Sequence, residues 1–110
     1  MEYKFTYRLT EKAKNDLDEI IGYIAVGLCN PSAASDFMNQ LSKCIEETRL
    51  FPESGTLVDN EFISFTTIRK KFVANYIIYY KPDIDKHIIY IIRIVYGKRS
   101  MNEILAELNI

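Results

Sequence analysis

The stretch "HIIYIIRIVYG", residues 87–97, constrains the fold of this chain more than any other. It is rich in the β-branched and aromatic residues that are typical of strands. From Ile88 to Val95 only Arg93 interrupts a run of apolar residues. A strand that is apolar at nearly every position has both faces covered. We therefore expect this segment to be a central strand of a β-sheet.

Three further strands are predicted around it. At the N-terminus, alternate positions are apolar, which is typical of a half-buried strand; these residues are Tyr3, Phe5, Tyr7 and Leu9. The segments "SFTTIRK", residues 64–70, and "ANYIIYYK", residues 74–81, have high strand propensity. "PDIDK" favours a turn at Pro82 and Asp83. Residues 56–63 fit either a loop or a frayed strand.

Two amphipathic helices are predicted between the first strand and the others. Thr10 is a candidate N-cap for a helix that runs to about Leu28. Asn30 and Pro31 break this helix and open a second, which runs to about Phe51 and ends at "FPESG". Each helix has one apolar stripe at steps of three and four. The stripes are Ala13, Leu17, Ile20, Ile21, Ile24 and Leu28, then Ala34, Phe37, Met38, Leu41, Ile45 and Thr48. Together they predict an antiparallel helical hairpin.

The order of elements predicts an α+β domain over residues 1–110. It has an N-terminal strand, an α-helical hairpin and a three-stranded antiparallel run that completes a four-stranded sheet. A short C-terminal helix follows, opened by a capping box of Ser100 and Glu103 with Ile104, Leu105 and Leu108 facing inward. No apolar run approaches the roughly 20 residues of a membrane span. With no export signal at the start, we expect a cytoplasmic protein.

Charge is unevenly distributed along the chain. The net charge is −1 and the sequence pI is about 5.8. Residues 1–63 carry six Lys or Arg against eleven Asp or Glu, whereas residues 64–100 carry eight against two. This segregation predicts a basic face on the C-terminal half, although the overall charge does not favour a nucleic-acid ligand.

Metal and cofactor chemistry is not indicated. The chain has two cysteines, Cys29 and Cys44, and one histidine, His87, which are too few and too far apart for a metal site. We expect no cofactor, and two free, packed thiols, although a disulfide stays open. His87 lies beside the predicted turn, so we expect a surface residue.

Six segments in order resemble the RelE/ParE superfamily over nearly the whole chain. They are the N-terminal strand, "LTEKAKNDLDEIIGYI", "NPSAA", "FPESG", "IRKKFVANYIIYY" and "IIRIVYGKRS". Members of this superfamily are the toxins of bacterial type II toxin–antitoxin systems. The resemblance implies a growth-inhibiting, plasmid-stabilising type of protein that a cognate antitoxin neutralises in a hetero-oligomer.

The superfamily has two branches with different targets. RelE-like members cleave mRNA on the ribosome without a metal, whereas ParE-like members are understood to inhibit DNA gyrase by binding it. Metal-free cleavage requires a base, an acid and cations around the phosphate. The resemblance matches Arg69 and Arg99 to the superfamily's arginines, and these would be catalytic only in a nuclease.

Other residues are candidates for binding a target or RNA, namely Lys71, Tyr80, Tyr96 and Lys98. Alternation places Arg69 and Lys71 on one strand face and Lys70, a solvated residue, on the other. If their strands are neighbours, this pair and Lys98–Arg99 would converge on one phosphate. The same alternation separates Tyr79 from Tyr80, so part of the tyrosine set is core.

The RelE-type catalytic set is incomplete in this chain. The RelE branch has a catalytic tyrosine in its last helix, and the matching position is Leu105. Residues 100–110 contain neither Tyr nor His. Together with the low pI, this favours ParE-like binding to gyrase. A ribosome-dependent mRNA interferase and a non-toxic binding module of the same fold remain the alternatives.

Overall fold

The computed structural model describes residues 4–58 and 67–97. Two helices and five strands lie in these ranges. They are β1 (Thr6–Leu9), α1 (Glu11–Gly22), which continues into a π-helical segment (Tyr23–Gly27), α2 (Pro31–Leu50), β2 (Thr56–Leu57), β3 (Arg69–Val73), β4 (Tyr76–Asp83) and β5 (Ile88–Tyr96). The predicted α+β architecture is confirmed. The predicted C-terminal helix lies outside the described residues.

The strands form one sheet in the order β1-β5-β4-β3-β2. β1 is parallel to β5, and every other pair is antiparallel. β5 therefore has a neighbour on each side, as predicted from its apolar sequence. The described part of the sheet has five strands rather than the predicted four, because two residues after α2 pair with the start of β3.

Two strand boundaries differ from the predictions. β3 runs from Arg69 to Val73, and the described residues Thr67 and Ile68 before it are not part of a strand. Residues 64–66 of the predicted strand lie outside the described residues. β4 continues through Pro82 and Asp83, which pair with β5, so the predicted turn at these residues is wrong. The turn begins at Ile84, directly after β4. The Asp83 carboxylate accepts a hydrogen bond from the Lys86 backbone N–H in this turn, at 3.0 Å. Strand pairing with β5 across this hairpin overrides the turn preference of Pro-Asp.

The predicted helix starts are confirmed. Thr10 Oγ1 accepts from the Ala13 N–H at 3.1 Å and donates to the Ile92 carbonyl at 2.8 Å, so this cap also ties α1 to β5. Asn30 caps α2 through the Ala33 N–H at 3.1 Å, with Pro31 in the first turn.

The end of the first helix departs from the predicted stripe. The Leu28 N–H bonds the Tyr23 carbonyl, five residues earlier, at 2.8 Å. Such a π-helical turn holds more residues than an α-turn, so it rotates later side chains away from the stripe. Leu28 is consequently exposed, so its predicted inward position is wrong. Met38 on α2 is exposed as well, which corrects the second predicted stripe.

Apolar side chains form clusters on both faces of the sheet. The helix-side cluster lies beneath α1, which packs over β5, and α2, which packs over β3. The opposite face carries a smaller cluster of Val58, Ile68, Ile77, Tyr79 and Val95. Tyr76 and Tyr80 belong to the helix side, as alternation predicts. No helix among the described residues has the length and apolarity to cross a membrane.

Arg93, the charged residue in the apolar strand, is buried in an ion pair. Its Nε donates to Asp16 Oδ2 at 2.7 Å and its Nη2 to Asp16 Oδ1 at 3.0 Å. Asp16 Oδ2 also accepts from the Ile94 backbone N–H at 3.0 Å. A two-point contact of this kind fixes orientation as well as distance. It therefore locks α1 onto β5.

Candidate functional site

A polar cleft of about 500 Å³ lies between α2 and the edge of the sheet. Its walls are α2, the segment Ser54–Thr56 and β3 with the turn after it. They contribute Gln40, Lys43, Cys44, Glu47, Ser54, Gly55, Thr56, Lys70, Lys71, Phe72, Val73 and Ala74. Lys71, a predicted site residue, lies in this cleft, and Arg69 lies beside it.

Arg69 is bound by its own chain. Its Nη1 donates to the Gly55 carbonyl at 2.8 Å, and its Nη2 lies 3.4 Å from Glu53 Oε2. The side chain is 17% exposed, and its buried Nε has no hydrogen-bond partner among the described residues. The guanidinium thus holds the Glu53–Gly55 segment against β3.

Lys71 is also paired internally. Its ammonium Nζ lies 3.2 Å from Glu47 Oε1 on α2, and the side chain is 12% exposed. As predicted, Lys70 lies on the other strand face, where its Nζ is 5.9 Å from the centroid of the Phe72 ring. The cations of β3 that face the helices are therefore both matched by carboxylates, which cancels much of the predicted basic character of this strand.

Tyr80 is buried, and the prediction that it offers a surface to a target or to RNA is wrong. The side chain is 1% exposed within the helix-side cluster. Its hydroxyl accepts a hydrogen bond from the Gly55 N–H at 2.8 Å, and burial raises the pKa of the phenol. The approach is close, because a Cβ on Gly55 would lie 2.5 Å from this hydroxyl oxygen. Tyr80 therefore holds Gly55, a residue of the cleft wall, from within the core.

Tyr96 is the exposed aromatic residue of the predicted site. It is 42% exposed, and its ring packs edge-on against Tyr76 with 5.8 Å between centroids. Tyr96 pairs with Tyr76 at the start of β4, whereas Arg69 pairs with Tyr80, further along the same strand. Tyr96 and Arg69 therefore lie apart along the strand direction.

The predicted convergence of two cation groups depends on strands that are not neighbours. β4 separates β3 from β5. At the end of β5, the Gly97 N–H donates to the Asn75 carbonyl at 2.8 Å, next to the last residue of β3 rather than its first. Lys98 and Arg99 lie outside the described residues, so their part in the site stays a prediction.

Acid–base and metal-binding groups are sparse in the described chain. His87 is exposed, as expected, and its ring stacks on Phe5 with 4.6 Å between centroids. Both cysteines are free; Cys29 is exposed, so the prediction of two packed thiols is wrong for it. Cys29 has a φ of 51° in the break between the helices, which places it at the surface. Burial raises the pKa of the Cys44 thiol. The ranges 4–58 and 67–97 contain no group of three potential metal ligands.

A second depression, which sequence reasoning missed, is an apolar groove of about 870 Å³. It lies between the helical hairpin and the ends of β4 and β5, and its apolar lining includes Ile20, Tyr23, Leu28, Phe37, Tyr76 and Tyr96. The acidic residues Asp16, Glu19 and Asp36 line it as well. Sequence periodicity assigned Ile20, Leu28 and Phe37 to the buried helix stripes. Only the exposure of Leu28, directly after the π-helical segment, distinguishes it from its stripe. Gln40 and Ala74 line both depressions, so the cleft and the groove adjoin.

Several solved structures share this fold at low sequence identity. A chain of the chromosomal ParDE toxin–antitoxin system of P. aeruginosa aligns with a TM-score of 0.67 at 18% identity, covering 88% of this chain and 100% of the other. A chain of the RelBE2 toxin–antitoxin complex of Mycobacterium tuberculosis aligns with a TM-score of 0.62 at 15% identity, covering 87% and 94%. The isolated E. coli RelE toxin aligns with a TM-score of 0.54 at 14% identity, covering 93% and 94%.

Sequence comparison identifies the family. No curated protein matches the chain significantly. The family model described as "ParE toxin of type II toxin-antitoxin system, parDE" matches residues 7–101, which include every described strand and helix except Thr6, the first residue of β1. The chain therefore belongs to the ParE toxin family, within the RelE/ParE superfamily.

Proposed function

We propose that this chain is the toxin of a type II toxin–antitoxin pair, neutralised by a cognate antitoxin, and that it inhibits growth by binding DNA gyrase. Family membership supports the first part, since the matched family is that of ParE toxins. Two of the structural neighbours come from a toxin–antitoxin system or complex, which supports an antitoxin as the partner.

The observation that favours binding over RNA cleavage is the state of the β3 cations. Stabilising a phosphate in a metal-free cleavage requires cations that are free to approach it, together with an acid and a base. Arg69 and Lys71 are instead occupied by Glu53 and Glu47. Tyr80, beside them, is buried and accepts a hydrogen bond from Gly55. The contacts of Arg69, Lys71 and Tyr80 therefore favour a structural role for these residues over catalysis of phosphoryl transfer.

Induced expression in bacteria tests the proposal. We expect arrested growth, a DNA-damage response and gyrase-linked DNA breaks with intact mRNA. Purified protein is expected to inhibit gyrase supercoiling in vitro. Codon-positioned mRNA ends without gyrase-linked breaks would instead support the mRNA interferase, and normal growth with folded protein present would support the non-toxic binding module.

A variant pair tests the predicted cation after β5. Arg99→Ala is expected to relieve growth arrest while the protein stays folded, because a family comparison places an anionic contact there. Arg8→Ala is the matched control, since Arg8 is exposed on the edge strand β1 and pairs with Tyr90 near the start of β5, whereas Arg99 follows the end of β5 in the sequence. Equal toxicity of both variants would remove Arg99 from the proposed site. If a short open reading frame that encodes a DNA-binding N-terminus adjoins the gene, its co-expression is expected to restore growth.

A further inference from the structure

We propose that the apolar groove binds an amphipathic helical segment of the partner protein whose apolar face is flanked by Lys or Arg, and that Glu19 and Asp36 select this charge. This inference rests on the proposed function, because it takes the partner to be the antitoxin. It reverses the simplest expectation from the sequence, in which basic residues of the C-terminal half would attract an acidic segment.

The groove offers apolar surface that the described chain leaves uncovered. Tyr23 is 59% exposed, Leu28 is 55% exposed and Tyr96 is 42% exposed. The first two lie in or directly after the π-helical segment and the third at the end of β5, so one concave surface collects them from separate elements. An elongated apolar groove beside a helical hairpin suits the apolar face of an amphipathic helix.

The charges beside the groove determine which helix fits. Three carboxylates line it, and one of them, Asp16, is already occupied by Arg93. Glu19 and Asp36 are exposed, and their carboxylates have neither a hydrogen bond nor an ion pair with any described residue. They lie on different helices, α1 and α2, so they present negative charge from two elements of the hairpin. A segment with Lys or Arg beside its apolar stripe would pair with both, whereas an acidic segment would be repelled.

The same charges disfavour two other occupants of the groove, the C-terminal segment of this chain and a second copy of the chain. Residues 101–110 carry Glu103 and Glu107 and no Lys or Arg, so this segment would bring like charge to Glu19 and Asp36. A symmetric contact with a second copy of the chain would use the same patch on both subunits. It would therefore place these carboxylates near their own counterparts. A partner segment of opposite charge has neither disadvantage.

The direct test uses the purified full-length chain and two fluorescent peptides. Both are 20-residue helices with leucines at i, i+3, i+4 and i+7; one has lysines beside the leucines and the other has glutamates. We expect the lysine peptide to bind about tenfold more tightly in fluorescence anisotropy, the effect of two partly exposed charge pairs. Equal binding, tighter binding of the glutamate peptide, or no binding of either would overturn the proposal.

Charge-reversal variants locate the effect. The double variant Glu19→Lys, Asp36→Lys is expected to lose the preference for the lysine peptide or invert it. The control Glu11→Lys, Asp18→Lys makes the same change in net charge at residues of α1 that do not line the groove, and is expected to keep the preference. Tyr23→Ala, at an exposed position, is expected to weaken both peptides about equally. An unchanged preference in the groove variant would contradict the role of these carboxylates.

Two measurements identify the competing occupants. If Ile104→Asp with Leu108→Asp raises peptide affinity tenfold or more, residues 101–110 occupy the groove and the proposal is overturned. If the chain dimerises in sedimentation experiments and Tyr23→Ala abolishes the dimer, a second copy occupies it, with the same consequence. Toxicity without peptide binding would refute the groove and leave the proposed function standing. Peptide binding by a non-toxic chain would refute the function and leave the groove standing.

Discussion

The polar cleft and the apolar groove flank the same helix, α2, yet they differ in whether their charged side chains are paired within the described chain. In the cleft, Lys71 meets Glu47 across the space between α2 and β3, and Arg69 beside it meets Glu53. In the groove, Glu19 and Asp36 have no partner among the described residues, and apolar rings are exposed next to them. Lys71 and Arg69 are thus paired within the chain, whereas the groove exposes an apolar and acidic surface.

Removing the Asp16 carboxylate, which lines the groove and is 13% exposed, is expected to have the largest effect. Asp16→Ala removes the two-point contact to the buried Arg93 guanidinium, so the free energy of unfolding should fall by about 3–5 kcal/mol. Urea denaturation followed by circular dichroism measures this. Lys14→Ala is the control, since the Lys14–Glu11 pair is exposed and such surface changes stay within about 0.5 kcal/mol. Equal losses in both variants would mean that the buried pair is not a structural lock.

Two glycine substitutions test how tightly the cleft is packed. In Gly55→Ala, the new Cβ would lie 2.5 Å from Tyr80 Oη and 2.9 Å from the Lys70 carbonyl. We expect a loss of about 1–3 kcal/mol from overpacking. In Gly22→Ala, nothing lies within 4 Å of the new Cβ and the backbone is helical. That change should increase stability by about 0.5–1 kcal/mol. Thermal melts that shift in the same direction would contradict this difference.

The adjacent tyrosines Tyr79 and Tyr80 form a second matched pair, one on each face of β4. Tyr80→Phe removes the acceptor for the buried Gly55 N–H, which should cost about 1–3 kcal/mol. The Tyr79 hydroxyl is buried without a hydrogen-bond partner among the described residues. Its removal in Tyr79→Phe should be neutral or slightly stabilising, since no hydrogen bond is lost. Chemical denaturation of the two variants would show whether the Tyr80 hydroxyl contributes to the free energy of unfolding and the Tyr79 hydroxyl does not. A loss of the same size in both variants would contradict the expected difference.

Freeing the cations of the cleft should change binding more than stability. The double variant Glu47→Gln, Glu53→Gln leaves Lys71 and Arg69 without carboxylates, so affinity for a short single-stranded RNA should rise severalfold, with a steeper salt dependence. Glu11→Gln with Asp18→Asn gives the same net charge elsewhere and should show a smaller increase. Similar RNA binding by both variants would indicate that the cleft has no latent affinity for anions. Melting temperatures are expected to change little.

Local features of this fold were predictable, whereas contacts between distant segments were not. The caps at Thr10 and Asn30 and the alternation along β4 depend on neighbouring residues, and the sequence patterns predicted them correctly. The Asp16–Arg93 pair joins residues 77 positions apart. Nothing local to Arg93 distinguishes a buried ion pair from a surface cation.

The candidate site shows the same limit. Sequence alternation assigns Arg69 and Lys71 correctly to one face, but their carboxylate partners come from α2 and from the segment after it. The burial of Tyr80 likewise depends on Gly55, 25 residues away. The groove was missed because it collects residues of separate elements, Tyr23 and Leu28 from the end of the first helix and Tyr96 from the end of β5. Periodicity also placed Leu28 in the buried stripe, whereas the π-helical segment leaves it exposed.

The parallel pairing of β1 with β5 has a consequence for how the toxin is made. Thr6 is in register with Ile88 and Leu9 with Ile91, so the first strand to leave the ribosome waits for one of the last. Pairing over such a separation raises contact order and slows folding. The groove needs β5 as well as both helices. Until residues 88–96 have been synthesised, a nascent chain therefore has neither the complete sheet nor its proposed partner-binding surface.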